Sequence, residues 1–322
     1  MSRMISTKAA DYPPINLWDA EANIAETMAA HPVRKNTIKN EGDGYDFYAD
    51  EQRLAKELGS AMARATDIAL KEFDKMVGLE AQTTTSRKGK MIDDRNLAKE
   101  LEKLDPILSN AWTNSTEKTV AGFISWLVEK GAKRTTGWQH LKNLPTRPLI
   151  EAGMVASSKY YTNSYFNRIV MPAITGDILT KLDGGQPFDD TFYRALRSKM
   201  DQRLKSVPYW RLTANQAASR SYHYGLTRAG LAAGKTGYRF SAILDEKTSD
   251  QCEFMHGKTF WLADAVDYVE DVATLRPEDI PTDDPWIVDA IELEGLSPKQ
   301  LMDRGAAVPP LHPFCRSSME LI

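Results

Sequence analysis

Residues 238–258 read YRFSAILDEKTSDQCEFMHGK and mark the point where a helical sequence changes into one of strands and turns. Tyr238–Leu244 is rich in strand-forming residues and partly alternates between apolar and polar positions, which predicts a β-strand. The Asp, Thr and Ser residues that follow are typical of a turn, because their side chains hydrogen bond to nearby backbone groups. We therefore expect a strand, a turn and a short helix that carries Cys252 and His256 on one face.

The sequence before this stretch is mostly helical. From Ala20 to about Lys205 the apolar residues recur at spacings of three and four, as an amphipathic helix requires. The predicted helices cover Glu51–Leu79, Asp93–Lys103, Ser115–Lys130, Pro148 to about Leu182, Asp190–Lys205 and Thr213–Ala233, and residues 83–89 are predicted to form an exposed loop.

The sequence after the strand favours short elements and loops. Seven prolines lie between residues 277 and 313, and together they break any long helix. Residues 278–294 are acidic enough to form a solvated insertion. The predicted fold class is therefore α+β, with mostly helical N-terminal two thirds and a small mixed α/β module at the C-terminal end.

Length and composition suit two compact domains, since the chain has 322 residues with 42% hydrophobic content. We predict a helical region at residues 1–205 and the second module at residues 206–322. Only two cysteines are present, which is typical of a protein made in a reducing cytoplasm. No apolar stretch approaches the roughly 18 residues that span a bilayer, and no signal peptide is recognisable. We expect no membrane partner.

The charges are segregated along the chain. The net charge of -3 combines about -4 in residues 1–129, about +12 in residues 130–240 and about -11 in residues 241–322. A basic region that also contains aromatic side chains could follow a nucleic-acid backbone. Residues 130–240 are therefore a candidate contact for double-stranded DNA. The alternative is that these charges are solvated or matched to acidic neighbours.

Both cysteines and two histidines fall into two short clusters. Cys252 and His256 lie in the strand-turn-helix segment, and His312 and Cys315 lie in VPPLHPFCR at residues 308–316. Thiolate and imidazole are the preferred ligands of tetrahedral zinc, and short spacings let one loop supply two of them. Four such ligands would form a closed, structural zinc site. A metal-free knuckle, a disulfide between the two cysteines and a catalytic metal are the alternatives that the sequence leaves open.

No catalytic set accompanies these clusters. The serines lack the glycine context of a nucleophile elbow, and no glycine-rich stretch carries the lysine of a phosphate-binding loop. We therefore expect a protein that is not an enzyme. The alternative is a metal-dependent hydrolase, a nuclease or peptidase, in which the metal keeps an open position and Asp245 or Glu246 acts as the base.

These residues carry a resemblance to a known family. The order LDEKTS, Cys, HGKTF and then PPLHPFCR looks like the C-terminal domain of the phage Mu F-like minor head proteins, a head morphogenesis family. The resemblance covers roughly residues 205–322, and residues 212–216 (LTANQ) lack the acidic residue that members often carry there. The matching positions are Asp245, Thr248, Cys252, His256, Gly257, Pro309, Pro310, His312, Cys315 and Arg316.

The resemblance implies a minor component of a phage head that is associated with the portal vertex. The expected location is the virion, in the head interior or at the portal vertex, after synthesis in the host cytoplasm. The expected partners are the portal protein, the major capsid protein and, through residues 130–240, packaged DNA. The implied roles are head assembly and DNA packaging or ejection. A transient assembly chaperone is the alternative within the same setting.

Overall fold

The structure is a computed structural model. It describes residues 47–83, 106, 114–165, 176, 180, 191, 194, 195, 198, 207–246, 248–275, 290–312 and 314–322. Several predictions lie outside these residues: the helix at Asp93–Lys103, nearly all of the loop at 83–89, the end of the helix that starts at Pro148, most of Asp190–Lys205 and most of the acidic insertion.

The described residues form helices followed by a small sheet with helices in its connections. The helical part contains α1 (Tyr48–Thr83), α2 (Asn114–Ala132), α3 (Trp138–Lys142), α4 (Arg147–Tyr165) and α5 (Val207–Ala232). It is followed by β1 (Gly237–Ser241), α6 (Asp250–Met255), β2 (Thr259–Trp261), α7 (Leu262–Thr274), α8 (Ala290–Leu293), α9 (Pro298–Asp303) and β3 (Ser318–Leu321). The predicted α+β class is confirmed.

The long helices agree with the hydrophobic pattern, and the differences have local causes. Helix α5 begins at Val207 instead of Thr213. Its second residue is Pro208, and a proline is accepted in the first turn because that turn has no partner for a backbone N–H. Helix α7 is longer than the short elements predicted for its region. Its buried residues recur at helical spacing along one face: Leu262, Ala265, Val266, Val269 and Ala273.

Helix α5 lies at the centre of the described structure and contacts α1, α2, α3, α4, α7 and β3. It is buried on nearly all sides, and many of the buried side chains are small or polar. Two of the buried hydroxyls are satisfied within the helix, since Ser221 donates to the Ala217 carbonyl at 2.6 Å and Thr227 to the His223 carbonyl at 2.8 Å. Polar side chains on such a helix need partners inside the protein, because almost no side of it faces water.

The sheet has the order β2-β1-β3, with both pairs antiparallel. Tyr238 on the central strand pairs with Phe260 on β2 and with Leu321 on β3. The rings of Tyr238 and Phe260 stack at 5.5 Å, and the Tyr238 hydroxyl donates to the Ala307 carbonyl at 2.9 Å. One continuous core of buried side chains extends from Phe47 in the helical part to the sheet. The domain division at residues 205/206 stays a prediction.

The predicted strand Tyr238–Leu244 is shorter in the structure, where β1 ends at Ser241. The chain leaves the sheet there because the next backbone N–H, that of Ala242, donates to the His256 ring at 3.1 Å instead of to a strand. Among the described helices, none is both long and apolar enough to cross a bilayer.

Helices α2 and α5 approach each other at backbone distance. A Cβ atom added to Gly225 would lie 1.9 Å from the Val128 carbonyl oxygen, and one added to Gly131 would lie 2.0 Å from the Tyr222 carbonyl oxygen. Neither contact can be relieved by a side-chain rotation, because the obstructing atoms belong to the backbone. The crossing of the two helices therefore requires glycine on each of them.

We predict that Gly225→Ala lowers the free energy of unfolding by about 3 kcal/mol, because α2 and α5 must separate to admit the methyl group. The measurement is urea denaturation of the full chain. Gly122→Ala is the matched control, since Gly122 lies on the exposed side of α2 with no atom within 4 Å of the added Cβ. We expect it to raise stability by up to about 1 kcal/mol. Equal effects of the two substitutions would contradict the helix contact described above.

Candidate metal centre

The first half of the family motif, residues 244–260, places Cys252 in the first turn of α6. Ser249 caps this helix, since its hydroxyl accepts a hydrogen bond from the Cys252 backbone N–H at 3.2 Å. A serine at this position satisfies one of the backbone donors that a helix start leaves without a partner. The Cys252 side chain points into the interior and is 3% exposed.

The second half of the family motif, residues 308–316, contacts helix α5. Asn215 donates to the Cys315 carbonyl at 3.4 Å, and Gln216 donates to the His312 carbonyl at 3.5 Å. The guanidinium of Arg211 lies 5.7 Å from the centre of the Phe314 ring. Three residues of α5 therefore hold the loop of residues 311–316 and present its side chains to α6.

The two halves meet at three potential ligand atoms. The Cys252 sulfur lies 3.1 Å from His312 Nε2 and 3.7 Å from the Cys315 sulfur. The three atoms all lie within 4.8 Å of one another, so the group could hold a metal ion. A tetrahedral zinc with Zn–S bonds of about 2.3 Å separates its sulfurs by about 3.8 Å. A disulfide needs about 2.05 Å, and both cysteines are free thiols.

The two thiols have opposite pKa shifts. The pKa of Cys252 lies above its ordinary value, because its thiol hydrogen bonds with Cys315 and because burial disfavours the thiolate. Burial acts on Cys315 as well, but the hydrogen bond from Cys252 and the neighbouring His312 hold the pKa of Cys315 well below its ordinary value. The pair therefore favours one thiolate beside the imidazole, and a thiolate is the form that binds metal.

His256, the fourth ligand predicted from the sequence, does not join this group. Helix α6 ends at Met255, and His256 follows it with extended backbone angles (φ -54°, ψ 130°). The spacing of four residues from Cys252 therefore does not place both side chains on one helix face. The His256 ring is exposed, and its Nδ1 accepts a hydrogen bond from Ala242. The structure thus brings together three of the four predicted ligands.

The remaining polar motif residues connect the two halves by a second route. The Arg316 guanidinium donates to both carboxylate oxygens of Asp245, one of them at 2.7 Å. The Thr248 hydroxyl accepts from the Asp245 backbone N–H at 2.8 Å and donates to the Ile243 carbonyl. The turn after β1 is therefore fixed by Thr248 and joined to the second half by Arg316. We refer to the Asp245–Arg316 pair as the clasp.

Gly257 has a positive φ of 80°, which a residue with a side chain adopts only with strain. This conformation lets its backbone N–H donate to the Phe240 carbonyl at 2.9 Å, while the Phe240 N–H donates to the Lys258 carbonyl at 2.8 Å. Gly257 thus turns the chain from α6 back to the sheet. In the second half, Pro309 and Pro310 are buried and joined by a cis peptide bond.

Two contributions to the centre were not predicted. The Ser317 hydroxyl donates to the Cys252 sulfur at 3.1 Å, and no motif distinguishes this serine from others in the sequence. The role of Asn215 and Gln216 as supports of the second half was also missed. Asn215 and Gln216 were indicated only indirectly, because they lie in residues 212–216, where the chain departs from the family pattern.

The family model described as Phage Mu protein F like protein matches residues 189–320. Residues 189–320 are therefore similar to the phage Mu F-like family. The match confirms the resemblance inferred from the motif, and it supports a role in phage head morphogenesis. It includes helix α5, the three potential ligands and the clasp. No curated protein and no solved structure gives a significant match.

We predict that a double-mutant cycle of Asp245→Ala and Arg316→Ala gives a coupling free energy of about 1 kcal/mol, which decreases in high salt. The measurement is urea denaturation of the wild type, both single variants and the double variant. The control is the same cycle on Lys299 and Asp303, an exposed pair one helical turn apart at 3.0 Å, for which about 0.3 kcal/mol is expected. A clasp coupling no larger than that of the control pair would show that the clasp does not stabilise the fold.

Proposed function

We propose that this chain is a minor head protein of a tailed phage. It lies in the head interior or at the portal vertex and acts in head assembly and in DNA packaging or ejection, without catalytic activity. The observation that carries the proposal is the Mu F-like match across the segment that contains helix α5, the candidate metal centre and the clasp.

The packing supports different roles for the helical part and the Mu F-like module. The helical part presents surfaces to the portal protein and the major capsid protein. The Mu F-like module, which includes α5, is a rigid anchor, because its core is continuous with that of α1, α2 and α4. A mechanical force on the helices is therefore transmitted to the sheet by packed side chains and not by a flexible linker.

Packaged DNA has less support as a partner. Six of the twelve lysine and arginine side chains that the structure describes in residues 130–240 pair with carboxylates of this chain. The pairs are Lys130–Asp50, Lys133–Glu129, Arg147 with Glu129 and Glu151, Lys159–Glu117, Arg228–Glu270 and Arg239–Glu320. Contact with DNA would have to displace these carboxylates or use other cations.

A metal-dependent hydrolase is the second candidate, and the three-ligand group favours it, because catalytic zinc sites keep an open position. The candidate base Asp245 argues against it. Both of its carboxylate oxygens accept hydrogen bonds from Arg316, so the carboxylate is committed to the clasp. A virion component with a structural centre needs no such base.

We predict that gradient-purified, DNA-filled particles contain this chain at a low copy number that is constant relative to the portal protein. The measurement is quantitative mass spectrometry with labelled reference peptides from both proteins. Presence in precursor heads with absence from filled heads would assign a transient assembly chaperone. Absence from both kinds of particle would refute a role in the head.

We further propose that Cys252, His312 and Cys315 bind a structural zinc ion. The support is the sulfur separation of 3.7 Å, which suits two thiolates on one zinc. The ion would join two segments about sixty residues apart. Its binding free energy would add to folding stability, because an unfolded chain does not hold the three ligands together.

We predict one zinc per chain in protein purified without chelators, measured by inductively coupled plasma mass spectrometry. Cys252→Ser and Cys315→Ser reduce the zinc content to background. His140→Ala is the matched control, because His140 is an exposed histidine outside the group, and it keeps one zinc. Zinc-free wild-type protein that is fully folded by circular dichroism would refute the structural metal.

A further inference from the structure

We infer that the metal held by Cys252, His312 and Cys315 keeps one coordination position open to a small donor ligand from solution, with water as the resident ligand. This inference rests on the proposed metal site. It differs from the closed site of four protein ligands that the sequence predicted. The ligand class is that of compact nitrogen, oxygen and sulfur donors.

The number of protein ligands determines whether a coordination position of the metal stays open. Zinc in proteins is almost always four-coordinate and tetrahedral when its ligands are cysteine and histidine. Within the described residues, no fourth His, Cys, Asp or Glu has a ligand atom that joins the group. The three ligands among the described residues therefore leave one corner of the tetrahedron, and we assign that corner to a molecule from solution.

The neighbouring polar side chains are engaged in other contacts. His256 uses Nδ1 to accept from Ala242, and its ring is exposed. Ser317 donates its hydroxyl to the Cys252 sulfur, which suits a hydrogen bond to a thiolate that is already bound to metal. The Asp245 carboxylate accepts from Arg316 through both oxygens.

The exposure of the three ligands determines from which side a molecule can reach the fourth position. The Cys315 side chain is 0% exposed and Cys252 3% exposed, whereas His312 is half-buried. The carbonyl side of the His312–Cys315 loop is covered by Asn215 and Gln216 of α5. A ligand from solution therefore approaches along the imidazole of His312, the one member of the group that reaches towards solvent.

The test uses the full chain with cobalt in place of zinc, because the visible absorption of cobalt reports its coordination. Wild type and His256→Ala are compared before and during titration with imidazole, and Cys252→Ser is the variant without the site. We expect the same tetrahedral bands in wild type and in His256→Ala. Imidazole then shifts the bands of both proteins saturably, with one imidazole per cobalt, while one cobalt per chain is retained after gel filtration.

Two results would overturn the inference while leaving the metal site intact. The bands of the wild type could be indifferent to imidazole, or they could change on His256→Ala alone, and either outcome would assign a fourth ligand to the protein. A third result is separate from these. Wild-type protein that shows neither cobalt bands nor bound zinc would refute the proposed metal itself, and the open position with it.

Discussion

The backbone contact between helices α2 and α5 is the constraint on which the rest of the structure depends. With Gly225 against Val128, α5 can lie deep enough to be enclosed by the other helices. One face of α5 then packs on α1, and the same helix directs Asn215 and Gln216 towards the C-terminal loop. A crossing made one methyl group wider would move those amides away from the carbonyls they contact.

Asn215 shows how closely the helical part and the candidate metal centre are connected. Its amide donates both to the buried Glu51 carboxylate of α1 at 2.9 Å and to the Cys315 carbonyl at 3.4 Å. A single side chain thus links the first described helix to a potential metal ligand. Inside the core such a network specifies one arrangement, because a buried polar group that loses its partner is costly. The position of the ligand loop is in this sense determined by the helices.

The sequence was sufficient for the features that depend on local pattern. Apolar periodicity located α1 and α2 to within a few residues. Thr248 fixes the turn through backbone contacts as predicted, whereas the Asp245 carboxylate accepts from side chains instead. Spacing failed at His256, because a spacing of four residues implies a shared face only while the helix continues, and α6 ends one residue too early. Ser317 and the clasp depend on contacts between segments about seventy residues apart. No local pattern contains that information, and only the shared ligand chemistry of the two clusters and the resemblance to a family associated the two halves beforehand.

The central place of α5 has a consequence for biosynthesis. Helices α1, α2 and α4 emerge from the ribosome before the helix against which their apolar sides pack. At usual rates of synthesis, the residues between α1 and α5 take on the order of ten seconds to be added. During that interval the nascent chain exposes apolar surface that the finished protein buries, so aggregation competes with folding most strongly just before α5 is complete. A chaperone that binds nascent chains would therefore act on this segment first.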